Sequence, residues 1–172
     1  MTPRIDNKEF YDAFPLLYGD HGKSPTQTAM CWGLAVGDGW RDILWMVSEQ
    51  LEQHLRENYA GDEHAPRAVQ VKEKFGGLRF YMSSYDDFIE ERIRWAEILC
   101  ARTCERTGKP GRIRHDIGWS RCLSTREYAI ECYRRGAEPE FKEYNEYPRE
   151  SDLAAWRALV EEEKHDKAGS DT

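Results

Sequence analysis

No apolar run in this chain approaches the roughly 20 residues that a helix needs to span a bilayer; Ile43-Leu-Trp-Met-Val47 stops after five. Residues 1–6 contain no apolar stretch of the signal-peptide kind, so secretion is not expected. Cysteine is sparse, odd in number at five, and lacks the regular spacing of a disulfide framework. A cytoplasmic setting with reduced thiols is therefore the expectation. A helical His pair with metal-ligand spacing, such as His-x-x-x-His, does not occur, and neither does a nucleophile elbow. Gly22-Lys-Ser24 looks like the end of a phosphate loop, but Leu17 stands where that loop needs its first glycine. The paired acids Asp86-Asp87 and Glu90-Glu91 are sequence neighbours, which point apart on a helix and serve its N-terminal dipole rather than a shared proton. These absences argue against an enzyme and give no reason to expect a cofactor.

What the chain does have is charge, aromatics and one sharply patterned segment. Charged residues make up 33% of it and hydrophobic residues 40%, with six Trp, nine Tyr and six Phe, enough for a core beneath a very polar surface. The net charge of −7 is unevenly spread. Residues 1–91 carry 9 Lys/Arg against 16 Asp/Glu, residues 92–135 carry 11 against 5, and residues 136–172 carry 5 against 11. A basic middle thus lies between acidic flanks. Three readings are open: the charges neutralise one another within the fold, the basic segment meets phosphate or an acidic protein, or the acidic flanks imitate a nucleic acid.

Asn7 to Phe14 reads as a short helix ended by Pro15, and Met30 to Val36 as a short strand. Asp38 is placed to cap a long helix whose apolar positions, from Trp40 through Leu55, recur at helical spacing as far as Asn58. Val69 and Val71, then Leu78, Phe80 and Met82, alternate with polar residues, which predicts a hairpin turning at Gly76-Gly77. Its outer face carries Lys72, Lys74, Arg79 and Tyr81. A helix from Asp87 to Arg106 follows, capped by Ser84 or Asp86 and closed at Gly108. A second small hairpin turns around Asp116, and Ser124-Thr-Arg-Glu127 is a capping box for a short helix. Residues 137–150 read as an acidic, aromatic linker, and a last helix carries Leu153, Trp156, Leu159 and Val160 on its inner side.

Cys100 and Cys104 are expected one helical turn apart, with His115 and Cys122 further on. Those four are the set that would hold zinc; otherwise the cysteines are small buried apolar residues. Trp95 and Trp119 flank the basic region, where an exposed indole would suit stacking or a protein hot spot.

Three motifs, Cys31-Trp-Gly-Leu followed by Gly37-Asp-Gly-Trp40, then Val71-Lys-Glu-Lys-Phe-Gly-Gly-Leu-Arg-Phe-Tyr81, then Cys104-Glu-x-x-Gly108-x-Pro-Gly111 with Gly118-Trp119, resemble a family of small proteins from tailed bacteriophages and prophages. The resemblance covers residues 30–129, and its middle motif is the specific one. In that family the last part looks like the remnant of a zinc ribbon, with a Cys-x-x-Cys-Gly knuckle and a later Cys near a His. Here Thr107 and Ser124 stand at knuckle cysteine positions, so zinc is not expected. The resemblance implies no activity and no catalytic residues.

The expected fold is α+β: two or three helices on a short antiparallel sheet, a degenerate ribbon-like segment at 104–124, and a C-terminal helical extension. Residues 1–136 form one domain, and 137–172 the linker and last helix. The expected function is that of a non-enzymatic phage accessory protein binding a host or phage macromolecule, with inhibition of an antiviral defence system as its role. The alternative is a nucleic-acid-binding module using Arg112, Arg114, Arg121 and Arg126 of the basic segment. Candidate partner-binding residues are Arg112, Arg114, Arg121 and Trp119, together with Lys72, Arg79 and Tyr81. The three arginines are expected to be exposed, because a small hairpin cannot bury several guanidinium groups unpaired.

Overall fold

The apolar stripe after Trp40 winds into an 18-residue helix, α2 (Arg41–Asn58), whose Leu44, Val47, Leu51 and Leu55 are buried. A computed structural model describes residues 5–169 and shows a mixed α+β fold with five α-helices and two antiparallel two-stranded sheets among those residues. Residues 1–4 and 170–172 lie outside the described part. The short α1 (Asn7–Ala13) supplies Phe10 to the main core. Strands β1 (Ala68–Lys74) and β2 (Gly77–Met82) form the first hairpin, whose inner residues Val71, Leu78, Phe80 and Met82 meet α2 and α3 (Asp87–Cys100). Asp86 caps α3, its Oδ1 accepting the Ile89 N–H at 2.9 Å. A second hairpin, β3 (Arg112–Arg114) with β4 (Arg121–Leu123), leads into α4 (Thr125–Arg134). The last helix, α5 (Glu150–Gly169), lies on α4 through Ile130, Tyr133 and Val160. Among the described residues no helix is long and apolar enough to cross a membrane.

Several local expectations are corrected. Residues 30–36 are not a strand: Ala29–Trp32 is a single 3₁₀ turn, and only Ala35 bridges to Lys72 of β1. Asn7 presses on Gly33 and accepts the Leu34 N–H at 2.9 Å, so the chain turns there instead of extending. The Asp38 carboxylate caps nothing, because the amides it would take are already used: Trp40 N–H donates to the Gly37 carbonyl at 3.1 Å and Arg41 N–H to the Asp38 carbonyl. Helix α3 stops at Cys100, not Arg106. Beyond it the backbone bonds across itself, Cys104 N–H to the Lys109 carbonyl at 2.8 Å and Gly111 N–H to the Arg102 carbonyl at 2.9 Å. Cys100 and Cys104 therefore do not share a helix face, and Gly108 turns this loop instead of closing the helix.

The turn of the first hairpin is Phe75-Gly76, with φ of 55° and 81°, and Gly77 opens β2 opposite Lys74. Gly76 belongs in the turn because a Cβ there would lie 2.8 Å from Ile113 Cγ2 and 3.2 Å from the Arg121 backbone, where the two hairpins meet. The capping box is half made: Ser124 Oγ accepts the Glu127 N–H, but the Glu127 carboxylate turns to Arg106 and Arg126. On α5, Val160 is buried, whereas Leu159 faces out.

Candidate functional site

The basic middle of the chain is largely spent on the chain's own acids. Of its 11 Lys/Arg, eight form ion pairs: Arg92, Arg106, Arg112, Arg114, Arg121, Arg126, Arg134 and Arg135. Arg112 and Arg114 project from the same side of β3 toward the Tyr144–Glu146 turn of the 137–149 segment. The Glu146 carboxylate lies between them, 2.6 Å from Arg114 Nη2 and 3.3 Å from Arg112 Nη1. Arg114 is only 3% exposed, and its guanidinium also stacks 4.2 Å over the Tyr128 ring. Arg121 pairs with the buried Glu105 at 3.0 Å. The expectation of three exposed arginines is thus corrected: Arg114 is buried, and Arg112 and Arg121 are half-buried. A guanidinium can be buried when a carboxylate is buried with it, and the acidic 137–149 segment supplies that carboxylate.

The first hairpin is different. Lys72 lies directly opposite Arg79 in the strand register, and Gln70 opposite Tyr81, all on the face away from the core. Like charges placed opposite each other repel, yet Lys72, Lys74 and Arg79 enter no ion pair among the described residues. Glu97 of α3 is within electrostatic reach of Arg79: its carboxyl is raised by burial and drawn back down by that guanidinium. At the tip, Phe75 and Trp119 are 56% and 54% exposed and touch with ring centroids 6.3 Å apart, while Lys74 Nζ sits 5.2 Å over the Phe75 ring. The fold thus gathers Lys72, Arg79, Tyr81 and Trp119 around one hairpin and diverts Arg112, Arg114 and Arg121 into internal pairs. Phe75 was missed in the sequence because Gly76-Gly77 drew the turn one place too far along. The left-handed pair at 75 and 76 is what thrusts its ring outward.

The remaining chemistry-bearing groups have structural work. The Cys100 thiol is pushed up by burial, and burial also pushes Cys122 up to about 12. Cys122 donates to the Ala101 carbonyl, and His115 is exposed and bonded to Ser120. No group of three or more His, Cys, Asp or Glu able to hold a metal occurs among the described residues, so Cys100, Cys104, His115 and Cys122 are not assembled into one. His54 reaches from α2 to Asp86 at 2.7 Å and stacks 4.4 Å from Phe88. Tyr59 donates to the same carboxylate at 2.7 Å. Burial opposes ionisation of Asp86, but the hydrogen bonds from His54, the Ile89 amide and Tyr59 outweigh it and hold the carboxyl down to about 2. This cluster clasps the end of α2 to the start of α3.

Comparison of the chain with known family models, with curated proteins and with solved structures gave no match in any of the three.

Proposed function

We propose that the chain is a non-enzymatic binding protein that takes an acidic protein partner on the outer face and tip of its first hairpin. The observation that carries this reading is the Lys72–Arg79 pair: two like charges held opposite each other, neither in an ion pair among the described residues. A fold that pairs eight of the eleven bases in its basic segment leaves these two outside any salt bridge, with Arg79 sensing the half-buried Glu97 at a distance, and an acidic surface laid on them would relieve their repulsion. The exposed Phe75–Trp119 pair beside them offers rigid aromatic area of the kind that dominates binding energy at protein interfaces. The resemblance to phage proteins suggests the wider role, an accessory protein acting on a host or phage macromolecule, with an antiviral defence component as the partner and a degenerate ribbon at 104–124 as part of the fold. The nucleic-acid alternative draws on the basic segment, whose arginines are mostly paired internally.

The test is binding of a captured partner to purified variants. Lys72→Glu with Arg79→Glu should weaken binding by about a hundredfold or more while far-ultraviolet circular dichroism stays unchanged. Undiminished binding by that double variant would overturn the reading. A salt titration separates the alternative: affinity for DNA or RNA that falls steeply between low and moderate salt would favour it.

A further inference from the structure

Part of the exposed apolar surface of this chain is gathered in one place. Met46 of α2 and Trp95 and Leu99 of α3 are 43%, 53% and 38% exposed and stand on the two walls of a single groove of about 250 Å³, floored by the buried Val47 and Ala96. Among the described residues, Gln50 and Arg92 are its only polar lining. Large apolar side chains exposed singly are ordinary, but three converging on a groove mark an interaction surface. The helices that build it run antiparallel. At one end Trp40 Nε1, just before α2, donates to the carbonyl of Thr103, just beyond α3; at the other, His54 of α2 bonds Asp86, the cap of α3. Charge is divided between the walls. Asp42 and Glu49 are exposed on α2; Glu49 enters no ion pair among the described residues, and Asp42 meets only its neighbour Arg41, at 3.5 Å. The α3 wall carries Arg92, paired with the adjacent Glu91 at 3.1 Å, and beyond the helix end Arg102, exposed and in no ion pair among the described residues.

We propose that this groove is the interface of a homodimer, a second copy being seated on it across a two-fold axis that runs along the groove. The opposite charge of the two walls is what selects a second copy as the occupant. Rotation about that axis keeps each residue's height along the groove and exchanges the walls, so α2 of one copy lies on α3 of the other. Asp42, at the start of α2 and level with the end of α3, then comes to Arg102 of the other copy. Glu49, midway along α2, comes within a turn of Arg92 of the other copy. Both contacts occur twice. A two-fold axis across the groove would instead lay acidic wall on acidic wall. Complementarity of this kind fixes orientation and register more than it adds affinity. The affinity comes from Trp95 and Leu99 of each copy closing over Met46 of the other, the aromatic and methionine contacts that interface cores favour. The product is a bundle of four helices, each antiparallel to both of its neighbours. The first hairpin lends no residue to the groove, so its outer face stays free in the dimer.

The experiment is sedimentation velocity of the full chain over a concentration series, where a monomer–dimer equilibrium is expected. Trp95→Glu, at a half-exposed position, should fold normally by circular dichroism and raise the dimer dissociation constant about thirtyfold or more, the loss typical of a buried interface tryptophan. Asp42→Arg should weaken the dimer about fivefold, and adding Arg102→Glu should restore it, because the pair then attracts with its signs exchanged. Restoration is a result that a general loss of stability would not give. The Lys72→Glu, Arg79→Glu double variant should dimerise like the unaltered chain, so failure of the hairpin reading leaves this one standing. A chain that is monomeric at every concentration, including one that takes a foreign protein in this groove, would overturn the proposal. So would a dimer that Trp95→Glu leaves intact, or a charge exchange that restores nothing.

Discussion

At the scale of single residues, glycine marks where backbone meets backbone. A Cβ on Gly39 would lie 2.2 Å from the Cys104 carbonyl oxygen, 2.5 Å from the Gly108 nitrogen and 2.7 Å from the Thr107 nitrogen. None of these is a flexible side chain, and the neighbouring Trp40 Nε1 is tied to the Thr103 carbonyl at 2.7 Å. Gly39→Ala should therefore destabilise by about 2–3 kcal/mol, the upper range for forcing atoms into a filled site. Gly77 is the contrast. A Cβ there meets only the movable Arg79 Nη1 at 3.3 Å and the Lys74 carbonyl at 3.7 Å, with no left-handed φ. Gly77→Ala should change stability by less than about 1 kcal/mol. Urea melts of the two variants check the pair, and equal losses would refute the account of the 103–108 loop.

At the scale of elements, the clasp between α2 and α3 makes stability depend on acid. Asp86 caps α3 while bonding His54 and Tyr59 of the α2 end, and its carboxyl titrates near 2 in the folded chain instead of near ~3.9 in the unfolded one. A depressed carboxyl contributes stability that is complete above the unfolded value and is lost as pH falls through the folded one. Thermal melts should therefore show a loss between roughly pH 4 and pH 2 that Asp86→Asn flattens, the variant being the less stable of the two at pH 7. Parallel curves for the two proteins across that window would show that the clasp does not carry the effect.

At the scale of the molecule, the folded chain brings its basic middle onto its acidic C-terminal side. Arg114 and Glu146 are 32 residues apart in sequence and buried together. Removing one member of such a pair strands the other charge, so Glu146→Ala should cost about 3 kcal/mol. Arg134–Glu163 joins α4 to α5 in the same way but is 39% and 37% exposed. Glu163→Ala should accordingly cost under about 1 kcal/mol. Denaturant unfolding of both variants decides whether burial, and not merely opposite charge, sets the worth of these contacts.

The sequence by itself determined what local periodicity and capping chemistry can carry. The stripe of α2, the alternation of β2 and of β1 from Gln70 onward, and Ser124 before α4 are written in residue order, and the structure keeps them; a register shift between Ala68 and Gln70 takes Val69 out of the pattern, and of Ser84 and Asp86 it is Asp86 that caps α3. It also placed Lys72, Arg79 and Tyr81 on one outer face, because a strand's side chains alternate whatever lies beneath. Moving the turn from Gly76-Gly77 to Phe75-Gly76 leaves that alternation intact, which is why pattern could not choose between them. The contact of Gly76 with Ile113 and the Arg121 backbone chose. In the same way, charge counts left open whether the basic segment faces outward or inward. Only the tertiary structure, by folding Glu105, Glu143 and Glu146 onto Arg121, Arg112 and Arg114, turned three candidate contact residues into internal pairs, since an ion pair depends on distance in space and residue order does not contain that distance.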